Sequence, residues 1–184
     1  YRELFERASL LLPNSDYLAA RLRDAGAPPE RIRMHRLGIR LEDFPFVDRR
    51  GREATPTLLA VGRLVEKKGF EHLIRAMRIA GERSVFRARI VGDGPLRGPL
   101  EELARASGLS GRIEFLGWRT GREVSRLMAE ADLFVAPSVT AADGDMEGMP
   151  LVITEAMATG LPTIGSRHSG IPEVVLDGLN GLVV

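Results

Sequence analysis

From Thr57 onward the chain alternates between two kinds of segment, and no other feature constrains its fold as tightly. Short aliphatic and β-branched runs, TLLAVG (57–62), FRARIVG (86–92), RIEFLG (112–117), DLFVAPS (132–138) and LPTIGS (161–166), read as strands. Longer amphipathic stretches at about 68–81, 95–107, 121–131 and 150–159 read as the helices between them. Strands joined through helices of this length form right-handed βαβ units. The pattern therefore predicts an α/β fold, a Rossmann-like open parallel sheet with helices on both faces. Most of the strands end at Gly or a small residue, where the chain must turn tightly into the next helix.

Residues 1–50 follow a different pattern. SDYLAARLRDAG predicts a helix capped by Ser15 or Asp16 and stopped at Gly26. PPERIRMHRLGI adds one strand-like run, and the polar, proline-containing RLEDFPFVDRRGREATP reads as a linker. We expect residues 1–55 to be the tail of a preceding domain plus its connector, and a new domain to start near Pro56 and run through 184. The chain opens on Tyr1 and closes within the apolar run GLNGLVV, so a piece of a longer protein is expected.

Charge and composition narrow the function classes. Lys plus Arg total 26 against 25 Asp plus Glu, a net charge of +1, which gives no reason to expect nucleic acid or an anionic membrane as main partner. With no cysteine there is no disulfide framework. No run approaches the roughly 20 apolar residues of a membrane span, and no signal peptide is visible, so a cytoplasmic location is expected. Lys67 and Lys68 are the only lysines among the 26 basic residues.

The stretch EGMPLVITEAMATG (147–160) carries the chemistry. Pro150 suits the first helical position, where its missing N–H costs nothing. The N–H groups around Gly148, Met149, Leu151 and Val152 would then point out of the helix start, a ready site for phosphate. In an open parallel sheet that helix start lies at the strand C-terminal edge, where ligands bind. Glu147 and Glu155 flank the anion site. A carboxylate repels phosphate, so both make better acceptors for sugar or ribose hydroxyls. AVGRLVEKKGF (60–70) brings Arg63 and Lys68 to the same edge. Lysine at this one spot, in a chain that otherwise uses arginine, indicates a need for a compact, flexible ammonium, and Gly69 eases close approach to Lys68.

Three other patterns are weighed and set aside. IVGDGPLRGPL (90–100) has the spacing G-x-G-x-x-x-G, with Pro95 where pyrophosphate needs a donor, so it reads as a strand–turn–helix corner rather than a nicotinamide fingerprint. Asp143 and Asp145 spell Asp-x-Asp, the metal motif of one class of sugar-nucleotide enzymes, but two cations and a helix start already offer the neutralisation a metal would supply. No metal or other cofactor is expected. His35, His72 and His168 share no ligand spacing, although His168 lies in a loop, SRHSGIPE, within reach of the cleft.

With these residues in hand, the chain resembles the C-terminal half of a family 4 retaining glycosyltransferase of GT-B fold. The resemblance rests on GRLVEKKG, VGDGPL, FLGW, ADLFVAPS, EGMPLVITEAMATGLP, SGIPEVV and DGLNGLVV, in that order, and covers nearly everything from Pro56 on. RLGI and PSVTAADGD are similar to members that build bacterial exopolysaccharides. The resemblance implies that Arg63 and Lys68 hold the diphosphate of a nucleotide-sugar donor and stabilise it as it leaves. It implies that Glu147 meets the sugar and Glu155 the ribose, while Gly148, Met149, Pro150 and Leu151 form the backbone cradle. The turn at Gly92 and Gly94 and the segment from Leu116 to Trp118 would line the base pocket. The acceptor, a glycan or lipid-linked saccharide, would bind the N-terminal domain that this chain lacks. Any peripheral contact with the inner face of the plasma membrane would also lie there, and these residues alone would catalyse little. A non-catalytic nucleotide-sugar-binding module is the alternative.

Overall fold

The computed structural model describes residues 2–51, 55–81 and 85–184. In chain order its elements are α1 (Arg2–Arg7), α2 (Asp16–Asp24), β1 (Thr57–Val61), α3 (Phe70–Ala80), β2 (Arg87–Val91), α4 (Arg97–Ala106), β3 (Ile113–Gly117), α5 (Gly121–Glu130), β4 (Leu133–Ala136), α6 (Leu151–Ala158), β5 (Thr163–Gly165) and β6 (Gly181–Val183). The strands of the described residues form one sheet in the order β3-β2-β1-β4-β5-β6, each parallel to its neighbours. β6 and α1 are elements that the alternation does not foresee.

The central strands are apolar on both faces because both faces are covered. Leu59 and Ala60, neighbours on β1, point in opposite directions into different clusters. Ala60, Ala88 and Ile90 pack under α3 and α4 through Leu73, Ile74, Met77 and Leu100. Leu59 and Phe134 pack under α5 and α6 through Val124, Leu127, Met128 and Ile153. α5 starts with a reciprocal cap, in which Thr120 and Glu123 satisfy each other's backbone N–H.

In the first fifty residues, α2 begins as expected: the Ser15 hydroxyl accepts from the Leu18 N–H at 3.1 Å, and Gly26 takes the left-handed conformation that ends it. The strand-like run is reduced to a single parallel bridge between Leu11 and Ile32. Phe5, Leu11, Ala19, Ala27 and Ile32 form a small cluster of their own. Glu173 ties this segment to the sheet, accepting from the N–H groups of Asp16 and Tyr17 at 2.9 Å and from Arg36 at 2.9 Å. Burial by itself pushes the Glu173 carboxyl up, but these donors outweigh it and hold the group below the usual glutamate range.

The expected linker reaches into residues 52–54, which lie outside the described residues. Its first part is a strap laid across α5 and α6. Phe44 packs on the cluster under these helices, and the Val47 N–H donates to Thr159 O at 3.0 Å. The Arg49 guanidinium donates to the carbonyls of Met128 (2.6 Å), Ala131 (2.9 Å) and Thr159 (2.5 Å), filling acceptors that the ends of both helices leave open. Arg49→Met keeps the aliphatic stem but removes three donors, leaving Thr159 O with the Val47 N–H. We expect it to lower unfolding stability by about 1–3 kcal/mol, measured as the shift of a urea midpoint.

Candidate functional site

Strand order reverses between β1 and β4, so the loops leaving their carboxyl ends diverge and open a crevice. The loop after β1 carries residues 62–69 and the loop after β4 carries 137–150. Gly69 has φ 62°, and a Cβ there would collide with the Pro137 carbonyl, so only glycine allows the two loops to meet. The Val139 N–H donates to Lys67 O at 2.9 Å across the same seam. Gly92, at φ 131°, lies against the Gly62 carbonyl, and the Leu64 N–H donates to Asp93 O at 2.9 Å. The 92–94 turn thus props the β1 loop from behind.

The crevice is a cleft of about 490 Å³. Arg63 and Lys68 line one side, and Glu147, Met149, Pro150, Leu151 and Glu155 the other. Lys68 Nζ lies 3.1 Å from Glu147 Oε1, with the two side chains only 17 % and 11 % exposed. Among the described residues that oxygen makes no aligned hydrogen bond, so the contact is an ion pair alone. Beside it, Lys67 Nζ pairs with Asp145 Oδ1 at 3.1 Å. The hydrogen bond from Lys67 holds the Asp145 carboxyl below its usual range, with Arg63 adding to the effect. Arg63 itself is exposed at the cleft mouth.

α6 starts one residue later than the sequence suggests: Pro150 is its N-cap and Leu151 its first residue. No side chain caps it, and among the described residues the N–H groups of Leu151 and Val152 have no partner. The 166–170 loop pins the approach to this helix start. The Ser169 hydroxyl donates to the carbonyls of Glu147 and Gly148, and the Gly170 N–H donates to Gly148 O at 2.9 Å. Among the described residues His168 Nε2 is buried without a partner; burial lowers the imidazole pKa, while Glu147 pulls it back up. Glu155 is half-buried on α6, and burial pushes its carboxyl above the usual glutamate range.

Several expected residues lie elsewhere. Gly92, Gly94, Leu116, Trp118 and Gly148 are not among the residues lining the cleft. Leu116 packs on the core cluster of Leu59 and Phe134, and Trp118 is 70 % exposed. Arg119 and Gly121 form the wall at that end, opposite Phe44 of the strap. Of this segment, the cleft is reached by the residue after the tryptophan. Gly148 is constrained from behind: a Cβ would meet Asn14 and Leu18 of the N-terminal segment at 2.7 Å.

A second cavity of about 490 Å³ lies under the face of α3, lined by Leu58, His72, Leu73, Met77, Phe86 and Val135 among others. It is apolar and holds none of the paired charges. No helix among the described residues is long and apolar enough to cross a membrane.

Residues 55–184 match the profile of a family described as glycosyl transferases, group 1. The chain is 40 % identical over 185 residues to WcaL of Salmonella typhimurium, a protein named for colanic acid biosynthesis, over 100 % of this chain and 46 % of that one. It is 40 % identical over 182 residues to AmsK of Erwinia amylovora, named an amylovoran biosynthesis glycosyltransferase, over 98 % and 45 %. The chain thus spans about half the length of the curated relatives it matches. The Anabaena protein HepE, solved with UDP and glucose, superposes with a TM-score of 0.85 at 26 % identity, over 100 % of this chain and 51 % of that one.

The half-buried Glu155 generates a stability prediction. A carboxyl whose pKa is raised by folding adds stability below its unfolded pKa, and that stability is lost as pH rises through the folded value. Glu155→Gln should therefore raise the melting temperature at about pH 8 and have little effect at about pH 3. Scanning calorimetry across that range checks both the sign and the window.

Proposed function

The chain belongs to the group 1 glycosyltransferases, and on that premise we propose that residues 56–184 bind a nucleotide-diphospho-sugar donor for retaining transfer. Residues 1–55 would then be the tail of the acceptor-binding domain and the connector to it. The reading rests on one observation above all: Arg63, Lys68, Glu147 and Glu155 line a single cleft at the uncapped start of α6.

Each group then has a task. Arg63, Lys68 and the α6 amides neutralise the diphosphate, most strongly as the bond to the sugar breaks and charge builds on the leaving phosphate. Glu147 accepts from sugar hydroxyls at one end of the cleft. Glu155, one turn into α6, accepts from the ribose, with Arg119 and Phe44 beyond it toward the base. Positive charge is supplied by side chains and backbone, so the scheme needs no metal. No carboxylate is assigned as nucleophile; a front-face displacement assisted by the departing phosphate gives retention, in keeping with a family 4 assignment. The acceptor, a glycan or lipid-linked saccharide, would come from the side of the N-terminal domain. The relatives named for colanic acid and amylovoran biosynthesis favour an exopolysaccharide product, and transfer would take place at the cytoplasmic face of the membrane.

Lys68→Ala and Glu155→Ala in the full-length protein should each lower kcat/KM for donor turnover by about a hundredfold or more, the scale of losing one preorganised charge-stabilising group. EDTA should leave the wild-type rate unchanged. UDP or GDP should raise the melting temperature of the wild type and do so less in Lys68→Ala. Wild-type turnover in both variants would remove the assignment; binding of nucleotide without turnover in any form would leave a non-catalytic module.

A further inference from the structure

We propose that the Lys68–Glu147 ion pair is a lock opened by diphosphate, which keeps Glu147 from a sugar until Lys68 has been drawn away. The proposal rests on the donor-site reading above. Lys68 Nζ and Glu147 Oε1 are 3.1 Å apart and largely shut off from water. Among the described residues the carboxylate oxygen has no hydrogen-bond partner, so the pair is held by charge and its bonding is incomplete. The adjacent pair is different. Lys67 donates to Asp145 at 3.1 Å and reaches the Met146 carbonyl at 3.5 Å, and its surroundings are more open. Lys67 is satisfied by its own loop, whereas Lys68 has Glu147 as its only charged partner among the described residues.

A diphosphate outcompetes one carboxylate for this ammonium. It carries more charge, and it is also drawn by Arg63 and by the α6 amides, which cannot favour Glu147 to the same degree. Lysine suits the exchange because its charge rides on a flexible stem. Once Lys68 has moved, Glu147 is a nearly buried carboxylate without a counter-ion, which is costly unless hydroxyl donors reach it. Sugar hydroxyls answer that demand when the sugar hangs from the same diphosphate. A free sugar meets a closed pair. A nucleoside diphosphate without sugar opens the lock but leaves Glu147 bare, so re-closure of the pair opposes its retention after transfer and assists product release.

The test is the affinity of UDP and of GDP, by titration calorimetry, for the full-length wild type, Glu147→Gln, Glu147→Ala, Lys68→Gln and the Lys68→Gln/Glu147→Gln double variant. Melting curves establish that each is folded. With the competing carboxylate gone, both Glu147 variants should bind the nucleotide about tenfold more tightly, a change of about 1.4 kcal/mol. Most of that gain should vanish when Lys68 is already Gln. An equal gain with and without Lys68 would mean simple repulsion of phosphate and would overturn the lock, as would unchanged or weaker binding by the Glu147 variants. Absence of nucleotide binding in the wild type and all variants would instead overturn the donor-site reading on which the lock depends.

Discussion

The close contact of two loops at the point where strand order reverses governs the rest of the site. The chain leaves β1 toward one face and β4 toward the other, so their loops would part unless something held them. Gly69 lets them close up against the Pro137 carbonyl, and the hydrogen bond from Val139 to Lys67 O holds them. A side chain at 69 would need φ above zero and would push the Pro137 carbonyl away. Both lysine–carboxylate pairs bridge these same loops, so a shift of an ångström there would undo them together.

The cleft is electrostatically expensive. Glu155 is half-buried with its carboxyl raised, Glu147 is nearly buried against a single ammonium, and among the described residues His168 Nε2 is buried without a partner. Each would be more comfortable in water. Compensation lies away from the cleft. Arg49 fills the carbonyl ends of α5 and α6, and Glu173 closes the start of α2. Such a division is expected where a ligand, rather than the protein, completes the bonding of a site.

Much of this was legible in the chain because period and punctuation are local properties. Five strands and four helices fall where the apolar runs and glycines put them, within a few residues at each end. β6 escaped because three residues in a turn-rich run carry no period, and its pairing with β5 is a long-range matter. The cleft residues Arg63, Lys68, Glu147 and Glu155 were legible because each sits at a fixed offset from a strand end or helix start. The far wall was not. Which of Leu116, Trp118 and Arg119 turns inward depends on how β3 leaves the sheet, and Phe44 reaches the cleft only through the tertiary path of the strap. The resemblance assigns Gly92 and Gly94 to the base pocket, and a steric reason for glycine at both is independent of any ligand: the β1 loop presses on them.

The rarity of lysine takes on meaning in the structure. The chain's two lysines are adjacent, and each faces a carboxylate of the 143–147 loop. The Lys68 stem runs directly over Gly62, so closely that a Cβ at that glycine would lie 2.9 Å from Lys68 Cε. A thin methylene stem ending in a compact ammonium fits this passage, and it can lengthen or withdraw without disturbing the loop. Arginine would bring a rigid planar fork to the same narrow channel and would tend to clasp a carboxylate with two parallel hydrogen bonds. That would be a firmer pair and a worse one for this position, because a clasped Glu147 could not be released on the arrival of phosphate. Where the task is surface pairing, as in Arg97 with Glu101 or Arg105 with Glu102, the chain uses arginine. At Lys68 the charge must be held and then given up, and an ammonium on a flexible stem suits that task.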